Sequence, residues 1–110
     1  MAFLALASQK SLLTLQKNFL QLQYTSIQNQ VTAAEAQMAA IKKSHKGEDD
    51  YDESEDATYL YYEQLDEQLQ SEKDSVDTQM TAIENEISSL KTLVNNNVKS
   101  SCTLNLASGG

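Results

Sequence analysis

Apolar residues at Leu20, Tyr24, Ile27, Val31, Ala34, Met38 and Ile41 fall alternately four and three apart. Such spacing, about 3.5 residues on average, keeps one stripe of a helix turned toward a partner helix, which is the seam of a coiled coil. At seven-residue steps the pattern reaches back to Leu13 and Leu6, with Lys17 and Lys10 at the intervening seam positions. A first helix is predicted over residues 11–43, preceded by a lead-in or an extra turn or two at 1–10.

A second seam reads Tyr62, Leu65, Leu69, Val76, Met80, Ile83, Ile87, Leu90, Val94 and Val98, interrupted where Glu72 and Lys73 fall. It predicts a helix over 57–99. Between the helices, 44–56 is an acidic loop. Gly47 follows three lysines there, and seven acids occur within residues 48–56. Lysines suit a helix C-terminus, and acids suit the N-terminus of the next helix, because of the macrodipole. The chain has no Pro, and two of its three Gly are its last two residues, so there is little else to punctuate a helix. Asn95-Asn96-Asn97 weakens the second helix near its end. Residues 100–110 are expected to be a tail, although Cys102, Leu104 and Leu106 alternate as in a strand.

Two seams and a short polar loop predict an all-α fold, an antiparallel two-helix coiled-coil hairpin in a single domain over 1–110. A register in which paired numbers sum to about one hundred sets Met38 on Tyr62, Ala34 on Leu65, Val31 on Leu69 and Leu20 on Met80. It also brings Lys17 near Ile83 and Glu84, and Lys17 with Glu84 or Glu86 is a candidate charge pair that fixes register.

The hairpin leaves an apolar surplus. Leu12, Leu15, Phe19 and Leu22 form a second stripe beside the first seam, and Tyr59, Leu60, Tyr61 and Tyr62 point all around the start of the second helix. One partner helix cannot cover such an arc. These eight residues are the candidate subunit interface, and the hairpin is expected to pack into a multi-subunit assembly, a homo-oligomeric filament or bundle. Residues 1–47 carry five Lys and one Glu, whereas 48–110 carry three Lys and fifteen acids. Attraction between the halves suits head-to-tail contacts, which give a filament when they do not close.

Chemistry is sparse. Asp50, Asp52, Ser54 and Asp56 sit at positions one, three, five and seven of a calcium loop, but Glu55 replaces its Gly and Tyr61 its bidentate Glu. His45 is the sole histidine and Cys102 the sole cysteine, so no nucleophile–base set or thiolate metal site can be assembled. We expect no enzyme activity, no catalytic or metal residues and no cofactor. An acidic chain without Arg, at net charge −8, is not expected to bind nucleic acid. No stretch has the length of a transmembrane segment. The apolar start, Met1 to Ala7, is too short for a secretory signal peptide. The expected location is the cytoplasm, or the cell surface by way of a specialised secretion system.

The pattern over 11–99 resembles the helical-hairpin needle and filament subunits of type III-like secretion systems. It also resembles the small secreted hairpins of type VII systems and short uncharacterised coiled-coil proteins of gut bacteria. The likeness is one of architecture. The Pro-containing turn of needle subunits and the Trp-X-Gly turn of type VII hairpins are absent, while Tyr59 and Glu63 match a Tyr-X-X-X-Glu pattern at the start of the second helix. The prefoldin beta subunit is a hairpin of similar length, but it needs strands that 44–56 does not supply. What the resemblance implies is a structural subunit of a bacterial filament or tube. The alternative is a small secreted or chaperone-like hairpin that binds another protein.

Overall fold

The protein is all-helical, two long helices folded as a hairpin. The structure, a computed structural model, describes residues 2–109 and, of their side chains, those of 5–96. Helix α1 spans Ala2–Ser44, a single 3-10 turn spans Glu53–Glu55, and helix α2 spans Ala57–Gly109. Both helices are longer than the seams predict: α1 includes 2–10, and α2 runs through the three Asn and the expected tail at 100–109. The reason is an absence of breakers. Asn costs roughly 0.5 kcal/mol in a helix interior where Pro costs about 3, and no Pro occurs. The strand-like alternation of Cys102, Leu104 and Leu106 is helical backbone, and the side chains there lie outside the described residues.

The chain divides into two compact units. One joins residues 1–21 to 78–110, and the other is 22–77. In the second unit the core is Val31, Ala34, Tyr59, Leu69 and Val76, with Val31 only 2% exposed. In the first unit Leu20 and Met80 are buried, and Leu13, Ile83, Ile87 and Leu90 are half-buried. Tyr24, Ile27, Met38 and Ile41 are half-buried in the second. The covered positions of α1 thus keep the alternation of three and four that the sequence shows.

Register is fixed by contacts between the helices within each unit. Lys17 Nζ lies 3.4 Å from Glu84 Oε1 in the first unit. In the second, Lys73 Nζ donates to Gln28 Oε1 at 3.0 Å, and Lys42 Nζ stands 5.5 Å from the centre of the Tyr59 ring. Each pair sums to 101. Lys17 and Lys73 are half-buried seam residues, so their charges reach outward to partners while their stems pack.

Two positions in the second unit differ from expectation. Tyr59, expected at the subunit interface, is 5% exposed and belongs to the hairpin core. Leu65 is half-buried beside the seam, and the seam position itself falls to Asp66. Stepping back from Leu69 by three, four and three gives Asp66, Tyr62 and Tyr59, a strict heptad whose polar member hides it from a reading of hydrophobicity alone. Asp66 Oδ1 is buried with no hydrogen-bond partner among the described atoms.

Candidate functional site: the exposed apolar face

Two local constellations stand apart from the seam. The first, in the second unit, ties the turn between the helices. Gly47 adopts φ +91°, which needs no strain in Gly alone, and lets α1 end after Lys42 and Lys43. His45 stacks on Tyr51 with ring centres 3.9 Å apart, and its Nδ1 lies 2.9 Å from Glu48 Oε2. Tyr51 donates its hydroxyl to Asp56 Oδ2 at 3.0 Å. The other oxygen of Asp56 accepts from the backbone N–H of Thr58 at 2.9 Å and of Tyr59 at 3.1 Å. That is an N-cap, satisfying donors that a helix start leaves orphaned. Asp52 caps the 3-10 turn in the same way, accepting from the N–H and the hydroxyl of Ser54.

These contacts move proton affinities. The Tyr59 N–H, and then the Tyr51 hydroxyl, hold the Asp56 carboxyl below the ordinary carboxylate range. The Ser54 hydroxyl and N–H do the same for Asp52. Desolvation, reinforced by Asp56, pushes the Tyr51 phenol up to about 12. Tyr59, followed by Glu53 at 3.5 Å, raises Lys42. The acids at 52 and 56 are therefore engaged in holding the turn and the start of α2. Among the described residues no three His, Cys, Asp or Glu side chains gather as they would around a metal ion.

A carboxyl with a depressed folded pKa stabilises fully above its unfolded value, here near 3.8, and the contribution disappears as pH falls through the lower folded value. Asp56→Asn keeps an acceptor for the cap but removes that titration. Its melting temperature is expected to lie below the wild type's near pH 6, and the gap to narrow as pH falls below about 3.8, in paired thermal melts. A constant gap across that range would show that the Asp56 charge contributes nothing.

The second constellation is apolar and lies on α1. In the first unit Leu12, Leu15 and Phe19 are exposed, Leu15 65% and Phe19 61%. Leu22, in the second unit, is exposed as well. Of the other candidate interface residues, Tyr61 is 60% exposed, while Leu60 and Tyr62 are half-buried and the rings of Tyr61 and Tyr62 meet edge to face at 5.2 Å. Leu93, on α2 in the first unit, is exposed too, and sequence reasoning missed it because it sits one residue before Val94 of the seam.

Two open grooves follow the exposed face in the first unit. Leu12 and Leu13 of α1 with Leu90 of α2 line one of about 490 Å³. Leu15, Phe19 and Leu20 with Ile83 line another of about 410 Å³. Both have mainly apolar walls, and among the described residues Glu86 is the only charged one lining either. Grooves of this kind accept the apolar side of another helix.

Comparison with family models, with curated proteins and with solved structures finds no match for this chain. No described helix is long and apolar enough to cross a membrane.

Proposed function

We propose that this protein is a structural subunit, a helical hairpin that assembles with copies of itself into a filament or tube. The observation that carries the reading is the exposed face of α1. A hairpin already has its seam, yet Leu12, Leu15 and Phe19 beside that seam are left in water. Side chains of this size stabilise by about 1.5–3 kcal/mol each when covered, so a face holding three invites a partner.

Charge supplies a second, end-to-end contact. The unit of 1–21 and 78–110 holds four Lys and two acids, net +2, whereas 22–77 holds four Lys and fourteen acids, net −10. Opposite sign favours contact between unlike units of successive copies, and unlike contacts propagate.

Electron microscopy of the purified chain, with sedimentation at rising concentration, tests the proposal. Filaments are expected at low ionic strength, and they should shorten or dissolve near 0.5 M salt, where the screening length is about 4–5 Å. A monomer at every concentration and salt would overturn the reading in favour of a hairpin that binds a different protein.

A further inference from the structure

We propose that the lateral contact of the assembly is made between like units: the face of α1 bearing Leu12, Leu15 and Phe19 seats in the two grooves of the first unit of a second copy. The assignment rests on the self-assembly proposed above and names the surface that performs it.

The spacing matches. The grooves repeat after seven residues, Leu13 and Leu20 forming the floor from α1 and Leu90 and Ile83 from α2. The exposed side chains repeat at the same interval, Leu12 with Phe19. Leu12 and Phe19 themselves wall the grooves, so the face is a row of ridges and hollows on one seven-residue repeat, with which the same face of a second copy can interlock.

Charge matches as well, and it selects this chain's own α1 as the occupant. From Ser11 to Ala34, α1 has one charged residue, Lys17, and that ammonium is engaged by Glu84. The remaining polar positions there are Gln, Asn, Ser, Thr and Tyr, which carry no charge to desolvate. The groove walls are neutral apart from Glu86. By contrast, the first 21 residues of α2, Ala57 to Asp77, carry seven charges, six of them acidic. That surface repels its own copy and finds no cation in the grooves. Of the two like-with-like pairings, first unit against first unit, at net +2 each, repels far less than second against second, at −10 each.

A contact of this kind is held by burial, so salt should leave it intact while the end-to-end contact dissolves. Sedimentation in about 0.5 M salt should therefore show a discrete small oligomer. Under those conditions Phe19→Glu should raise the concentration at half-dissociation at least tenfold, and Tyr61→Glu should change it less than twofold. Far-UV circular dichroism checks that both variants remain helical. As a readout independent of folding, a photo-crosslinking amino acid at Leu15, in a mixture of isotopically light and heavy chains, should link one copy to Gln79–Leu90 of another. Intermolecular links confined to 22–77, or a Phe19→Glu protein that associates like the wild type, would overturn the assignment and leave self-assembly standing. A wild type that never associates would overturn both.

Discussion

Leu69→Ala is expected to lower the melting temperature by roughly 12 °C. Leu69 is 4% exposed and lies in the second unit's seam beside Val31 in the register. Truncating a buried Leu removes its transfer free energy and leaves a cavity, together about 2–5 kcal/mol. For a chain of this length each kcal/mol is worth about 4 °C. Leu93→Ala, at an exposed position of the same helix, should move the midpoint by less than about 2 °C. Both melts must be taken at one protein concentration, since any assembly adds stability by mass action. A drop under about 4 °C for Leu69→Ala would mean that the two seams are not packed on each other.

Asp66→Leu should act in the opposite direction, raising the midpoint by roughly 8 °C. Asp66 occupies a seam position, and its Oδ1 is buried without a hydrogen-bond partner. An unsatisfied buried polar atom costs about 1–3 kcal/mol, and a Leu there gains apolar burial besides. Ala34, small and buried, sits across the seam at this level and leaves room for the larger side chain. A stabilised but less specific hairpin is the expected product, because one polar seam residue can hold a coiled coil to a single register. If the substitution lowered the midpoint, the carboxylate would have to be satisfied by a group supplied from outside the chain.

How far the sequence spoke depended on whether the signal was periodic. Helix type and hairpin pairing were legible because some twenty seam residues repeat one rhythm, so errors at single positions do not shift it. The Lys17 contact was legible for the same reason as far as Glu84 or Glu86, since register alone brings it to that level of α2, and the structure pairs it with Glu84. Tyr59 and Asp66 were not. Four bulky residues in a row, Tyr59 to Tyr62, give no periodic signal, and at Asp66 the rhythm demands a residue that hydrophobicity forbids. Helix ends were the least legible. Asn95-Asn96-Asn97 is a propensity argument worth roughly 1–2 kcal/mol in all, and a continuous helical backbone outweighs it. The exposed stripe from Leu12 to Leu22 could be read as surplus from the start, because surplus is what remains once each seam has its partner. The grooves beside it could not, since they depend on which α2 residues flank the seam.

The constant sum of paired numbers has a consequence for how such a chain can change its length. Seven residues added to α1 and seven added at the matching level of α2 would restore every pairing, leave the turn with its Asp56 cap untouched, and insert two new seam layers. A single deletion in one helix would turn every residue beyond it by about 100° relative to its partner and put seam residues into water. Length in this protein is therefore quantised. It can be gained or lost in matched heptads, so the gene can alter the reach of the hairpin without redesigning either its core or its turn.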